Sequence, residues 1–516
     1  MVMLREGLAV DQATIETPAP AAGPRTRRTR DGLRIAIMGA GFGGIGLAIE
    51  LRRAGFANVT LYEKAPRVGG TWRDNTYPGA ACDVQSHLYS FSFAPRTDWT
   101  ERFSGQAEIL AYIESVARDF GILPLVRLNT AVVSAAYDAA RAVWRVAASD
   151  GSTDEYDVFV PAVGQLSRPS IPDFSGRGDF AGAAFHSAAW DHSVALQGKR
   201  VALVGSAASA VQILPELAKM CGHVDVFQRT PSWVVPRGNR PYSGWRKALF
   251  RHLPLHRQAL RLYLYLYGEF LYDAFRIGSW RNRMLKDAAL KHLQAQVPDA
   301  VLREKLTPRY ELGCKRVLFS DDYYPAFNQP HVALVTSPIV GVEAAGLRTA
   351  DGALHASDVI VYATGFDVRN CLTPVHIRGA GGEELQAIWQ EGPFAYCGVT
   401  VPDFPNMFIL YGPNTNLGHN SIIVMLEAQY RYIVQCLERV VANDLAALEI
   451  SAEACRAWND QVQRELGRMV WSTGCGSWYE SAGRVTANWW GSTLEYRRRM
   501  RTPEFADYRD VHVGGV

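Results

Sequence analysis

The 516-residue sequence has no run of about 18 apolar residues, so nothing in it reads as a membrane-spanning helix. Net charge is nearly absent. A balance of +3 and a pI near 8.3 exclude the strongly basic surfaces that bind nucleic acid or an anionic membrane through overall charge, so any basic requirement is local. The eight cysteines (82, 221, 314, 371, 397, 436, 455 and 475) form no CxxC pair and no Cys/His cluster at metal-ligand spacing. That pattern predicts a reducing, cytoplasmic setting, no structural zinc and no redox dithiol. Repeats of solenoid period are lacking, and low complexity is confined to the leader "PAPAAGPRTRRTR" (18–30), which predicts a disordered tail over residues 1–32. The apolar run that follows the leader's arginines opens a glycine turn and is not a signal-peptide core.

What is present is a pair of strand, glycine turn and helix units. In "RIAIMGAGFGGIGLAIELRRAG" (34–55), Gly39 permits the tight turn, Gly41 lets a pyrophosphate approach the backbone, and Gly43 and Gly44 open the helix, with Gly44 allowing close helix–strand packing. Glu63 closes the next strand, 24 residues after Gly39, where a carboxylate accepts from ribose hydroxyls. This predicts an FAD-type site. In "GKRVALVGSAASAVQILPELAKMCGHVDVFQRT" (198–230), Gly205 opens the turn, Ala207 and Ala210 stand for the later glycines, and Ser206 and Ser209 add hydroxyls. Arg229 lies 24 residues after Gly205, where the first unit has its acid. A guanidinium there, with Thr230 beside it, binds a 2′-phosphate that a carboxylate repels, which predicts NADPH at the second site.

Two further segments select among flavin-linked oxidoreductases. "FAGAAFHSAAWD" (180–191) carries Phe180, Gly182, His186, Trp190 and Asp191, and "GGTWRDNTYPGAACDVQSHLYSF" (69–91) carries Gly70, Trp72, Tyr77, Pro78, Gly79 and Asp83. In these residues the chain resembles the type I Baeyer–Villiger monooxygenases, the class B flavoproteins, whose fingerprints are FxGxxxHxxxW(P/D) and [A/G]GxWxxxx[F/Y]P[G/M]xxxD. Related N- and S-oxygenating flavoproteins usually have Tyr where this chain has Trp190. The resemblance implies that Thr71, Trp72, Asp83 and Tyr89 line the flavin site and that Lys315 joins Arg229 and Thr230 around the 2′-phosphate. It also implies that Arg316, oriented by Asp83, reaches the flavin, and that Trp478 contacts the nicotinamide ribose. His186 reads as a packed histidine at a hinge rather than an acid or base.

The fold expected is α/β, with two Rossmann-like dinucleotide-binding domains, for FAD and NADP, and a helical insertion. A discontinuous FAD domain (33–175 and 345–500) is interrupted by an NADP domain (176–344) with the insertion at 240–305, and 501–516 form a C-terminal tail. The "LYLYLY" run (262–267) alternates like a strand between helix-forming flanks, so tertiary context decides it. "GCGSWYESAGRVTANWWGST" (474–493) reads as a mobile loop over the active site, and Tyr430, Ile433 and Leu437 read as the core face of a helix beginning near Asn420. The function that the resemblance implies is insertion of one atom of O2 beside a ketone carbonyl through a C4a-peroxyflavin. The alternatives are a flavin N- or S-oxygenase and, more remotely, a non-catalytic NADPH-binding flavoprotein. Implied partners are a ketone and O2, without nucleic acid or a membrane span; the oligomeric state is not legible.

Overall fold

A computed structural model describes residues 27–369 and 371–512. The first unit is a parallel sheet in the order Val126–Arg127, Val59–Tyr62, Ile35–Met38, Val158–Pro161. Its strand Ile35–Met38 is buried at every position, as a parallel strand covered on both faces must be, which explains its unbroken apolar sequence. One face packs on helices Phe42–Arg53 and Ile422–Ala442. They approach so closely that a Cβ on Gly46 would lie 2.5 Å from the Tyr430 hydroxyl. Tyr430, Ile433 and Leu437 are fully buried there, as their spacing predicts. The other face is covered by an antiparallel layer, Val132–Asp138, Val143–Ala148 and Thr153–Tyr156, with Trp144 at its centre.

The second unit is a five-stranded parallel sheet in the order Val332–Val335, His223–Phe227, Arg200–Val204, Val359–Tyr362, Ala183–His186. Strand Val359–Tyr362, expected in the second part of the FAD domain, therefore lies inside the second sheet. The interruption thus runs about twenty residues further than composition suggests. The two chain crossings run side by side: Ser170 donates to the Gly365 carbonyl at 2.9 Å, and Asp367 to that of Arg168 at 2.9 Å. These two hydrogen bonds tie the crossings to each other.

The insertion is helical, with Gly244–His252, Pro254–Leu271, Trp280–Gln296 and Ala300–Lys305. "LYLYLY" lies within the second of these, where Pro254 at the first turn and helix-forming flanks outweigh the local alternation. Two expectations at the ends fail. Arg28, assigned to the disordered leader, is buried against Asp157 (3.3 Å), and its backbone N–H donates to Asp444; residues 1–26 lie outside the described residues. The presumed tail contains strand Tyr508–Val511, paired antiparallel with Ala447–Ile450.

Candidate active site

Two glycines of the first turn are sterically required. Gly39 has φ +114°, and a Cβ there would meet the Ala162 carbonyl oxygen at 2.7 Å; one on Gly44 would lie 1.9 Å from the Gly39 oxygen. Gly41 and Gly70 face each other across a narrow gap, backbone to backbone, while Gly43 sits over Leu410. Helix Phe42–Arg53 has no side-chain cap, so its first N–H groups remain available to an anion. Glu63 is buried beside this turn: Oε2 accepts from the Ala40 N–H at 3.0 Å, and Oε1 accepts from Ala65 and pairs with Arg73 at 2.8 Å. A carboxylate offers about four lone-pair positions, so these three contacts fix its orientation and leave room for a hydroxyl. Arg73 was not anticipated; an Arg in a turn carries no sequence signal of such a role.

The second turn repeats the construction. Gly205 has φ +123° and would place a Cβ 2.4 Å from the Ala363 carbonyl, and helix Ala208–Met220 again lacks a side-chain cap. The Ser206 hydroxyl is engaged within the protein, donating to the Thr230 carbonyl at 2.8 Å, which ties the turn to the end of strand His223–Phe227. Ser209 stands against Tyr77 of the first domain. Arg229 is exposed at that strand end, and Lys315 comes close to it from a separate segment. Burial, and secondarily the Arg229 charge, hold the Lys315 ammonium below its usual range. Two cations brought together, neither at salt-bridge distance from a carboxylate among the described residues, make a local anion site in a nearly neutral chain.

Between the two turns lies the 69–91 segment. Gly79, at φ +81°, lies where a Cβ would be 2.4 Å from the Gln212 carbonyl of helix Ala208–Met220. Tyr77 donates to the Gln212 side chain at 3.0 Å, and the Gln212 amide donates back to the Ala81 carbonyl at 2.9 Å. The Tyr-Pro-Gly part of the fingerprint is thus a domain contact. Thr71 and Trp72 begin a short helix beside Gly70, and the Trp72 indole donates to the Tyr89 hydroxyl at 3.1 Å. Asp83 accepts from Arg316 through one oxygen, Oδ2, from Nη2 at 2.5 Å and Nε at 3.1 Å. This uses two of five guanidinium N–H donors. Arg316 keeps 40% of its side-chain surface open, so the cleft beside this ion pair is accessible to a ligand. The Asp83 charge holds it above even the usual arginine range, so it is a permanent cation. Tyr411 and Tyr479 flank it, and burial pushes the Tyr479 hydroxyl up to about 12. Neither tyrosine belongs to a fingerprint, and each reaches the cleft from a segment distant in sequence.

The 180–191 motif packs beside the domain crossing. His186 ends the strand Ala183–His186, opposite Tyr362, and packs edge-on to Phe366 at 5.7 Å. Its Nδ1 accepts from the Ala188 N–H at 3.1 Å, and burial lowers its pKa, so it is a neutral packed residue at the crossing. A Cβ on Gly182 would strike the Asp358 carbonyl and the Phe180 ring. Trp190 packs on Phe185 at 5.1 Å, and Asp191 caps its own turn through Ser193. None of these five touches the Arg316 cleft by a described contact.

The C-terminal segment corrects one expectation in part. Its second half, residues 485–493, is built into the core and is not a mobile loop: Val485, Trp489 and Trp490 are buried, and Asn488 accepts from Asn414 and Asn416, whereas 474–484 is largely exposed apart from Ser477 and Tyr479. Its tryptophans bury too much apolar surface against Trp458 and Tyr496 to stand in solvent. Trp478 stays partly exposed, packs on Tyr479 with ring centroids 4.3 Å apart and the planes tilted by 54°, and lines a cavity with Gln165 and Tyr411. Moreover, Cys475 is joined to Cys314 by a disulfide, tying this segment to the residue before Lys315. The partners are 161 residues apart, so a search for local cysteine spacing could not find them.

This geometry has relatives. Residues 32–253 match the flavin-binding monooxygenase-like family. The chain is 43% identical to a Baeyer–Villiger monooxygenase of Streptomyces coelicolor, over 92% of each chain. It is 38% identical to one of Pseudomonas aeruginosa, covering 95% of this chain and 92% of that one. The chain belongs to the Baeyer–Villiger monooxygenase family. Solved structures agree with the fold: a steroid monooxygenase bound to NADP superposes with TM-score 0.83 at 29% identity, over 93% of this chain and 99% of that one. A cyclohexanone monooxygenase from Rhodococcus bound to NADP+ gives 0.84 at 28% identity, with the same coverage. As a Baeyer–Villiger monooxygenase, this chain is a flavin-type oxidoreductase of two Rossmann-like domains joined at the His186 crossing.

Proposed function

We propose that this protein is an FAD- and NADPH-dependent monooxygenase that inserts one atom of O2 beside a ketone carbonyl, giving an ester or lactone. The observation that carries this reading is Arg316, held by Asp83 in the cleft between two dinucleotide folds. The residues fit the two cofactors: glycine-lined turns a Cβ would fill, uncapped helix ends, a buried acid beside the first turn and a carboxylate-free cation pair beside the second.

When bound, FAD reduced by NADPH supplies the two electrons and the activated oxygen. The protein's own groups do the rest. N–H groups at residues 41–44 and the oriented Glu63 hold the flavin nucleotide. Arg229, Thr230 and Lys315 hold the 2′-phosphate, and Trp478 covers the nicotinamide side. Arg316 stays charged at every working pH and presents its remaining N–H donors to negative charge that collects on the reacting oxygens. Asp83 sets the guanidinium's direction and limits its motion. Tyr411 and Tyr479 stay neutral and donate no proton readily, so the cleft does not quench an anionic oxidant by acid catalysis.

The test is product analysis under 18O2 with purified yellow protein, NADPH and linear, cyclic and aromatic ketones, beside a thioether and an amine. One labelled oxygen in an ester or lactone supports the reading. Label confined to sulfoxide or N-oxide assigns the chain to heteroatom oxygenation, and NADPH consumption without labelled product removes the assignment.

A further inference from the structure

The insertion carries a surface that neither the reaction nor domain packing uses. Helix Pro254–Leu271 is apolar on both sides. Leu264 and Tyr265 turn inward against Leu88 and Val424. The opposite stripe, Leu255, Leu262, Leu266 and Phe270, recurs at steps of seven, four and four and faces solvent, with Leu255 79% and Leu262 56% exposed. Phe270 continues it to Trp280 on the next helix, at 6.2 Å between rings, and Trp245 on the preceding helix is 65% exposed. Eleven of the nineteen large apolar side chains exposed among the described residues fall between 245 and 284. An exposed apolar patch of this size marks an interaction surface.

The charge around this patch is predominantly positive. Between residues 243 and 284 the sequence has eight Lys or Arg against Glu269 and Asp273, a net +6 where the whole chain carries +3. Both carboxylates are taken up by the protein: Glu269 accepts from Asn420 and the Thr493 N–H, Asp273 from Arg281 and Ser279. Arg246, Arg251, Arg276 and Arg283 remain exposed on the same insertion. This is the local basic requirement that the overall charge conceals.

We propose that this face docks on an anionic lipid bilayer. The leucine and phenylalanine stripe would enter the boundary between headgroups and acyl chains, the tryptophans and tyrosines would lie at headgroup level, and the arginines would meet lipid phosphates. No helix among the described residues is long and apolar enough to cross a membrane, so the contact is with one leaflet. A second copy of this chain fits less well, because a two-fold contact would oppose two basic rims. The docking is independent of which substrate the enzyme oxidises.

The test is flotation of the flavin-loaded protein with vesicles of phosphatidylcholine mixed with phosphatidylglycerol, against phosphatidylcholine alone, at low and high salt. Wild type should float with the anionic vesicles and be released by salt. Leu262→Glu with Leu266→Glu, and separately Arg246→Glu with Arg251→Glu, should each reduce binding about tenfold or more while flavin content and NADPH oxidation are retained. The wild-type comparison decides without the variants. Equal or no binding to the two vesicle types overturns the proposal. So does a wild-type dimer that Leu262→Glu with Leu266→Glu converts to monomer without any vesicle binding.

Discussion

Removing Arg229 should change which nicotinamide cofactor the enzyme prefers and leave its chemistry alone. In the structure this exposed side chain stands at a strand end with Lys315 nearby and no carboxylate at salt-bridge distance among the described residues. A hydrogen bond to a charged group contributes about 1.5–3 kcal/mol net, and exposure places Arg229 near the lower end. About 1.4 kcal/mol is a factor of ten, so Arg229→Ala should lower kcat/KM for NADPH roughly ten- to thirtyfold. NADH, which lacks the phosphate, should change by no more than about twofold. Lys315→Ala should act the same way, and the double variant should approach the product of the two losses. Steady-state kinetics with both cofactors, at two ionic strengths, measures this directly. If NADPH and NADH fall in parallel, the cation pair does not read the phosphate, and the assignment of the second site fails.

Three other outcomes follow from the geometry. Gly79→Ala adds a Cβ where the Gln212 carbonyl stands 2.4 Å away, at φ +81°; denaturant unfolding should show a loss of about 2 kcal/mol or more, and an unchanged midpoint would contradict the tight domain contact. His87, buried between Tyr242 and Phe250, has its pKa lowered by burial to about 4. The unfolded chain takes up this proton first as pH falls from about 6.5, so stability should decline between pH 6.5 and 4, by at most about 3 kcal/mol from this group. His87→Phe should flatten that slope, and an unaltered slope would show that other groups govern it. Thiol titration of denatured, unreduced protein should find the six free cysteines, and eight after reduction; eight before reduction would deny the Cys314–Cys475 link.

The parts legible in the sequence were those whose chemistry is local. A glycine turn, the acid or arginine closing the next strand and the start of a helix are fixed by backbone sterics within about thirty residues, so Gly39, Gly44, Glu63, Gly205 and Arg229 stand where their spacing puts them. Contacts between distant segments were not legible. Strand Val359–Tyr362 joins the second sheet because of its neighbours Arg200–Val204 and Ala183–His186, and its own apolar sequence suits either domain. The same holds for the tyrosines 411 and 479 beside Arg316 and for the disulfide. Motif residues also differed in kind. Gly79, Gly182 and His186 serve packing at the domain junction, whereas Asp83 and Arg316, 233 residues apart, meet in the cleft as the resemblance implies.

The account depends most on the cation in that cleft. Its most direct test is the fraction of NADPH oxidised that appears as ester or lactone in Arg316→Ala, compared with wild type on the same ketone. NADPH consumption should continue, diverted to hydrogen peroxide, while oxygenated product falls about a hundredfold or more. Wild-type coupling in the variant would contradict the role given to Arg316.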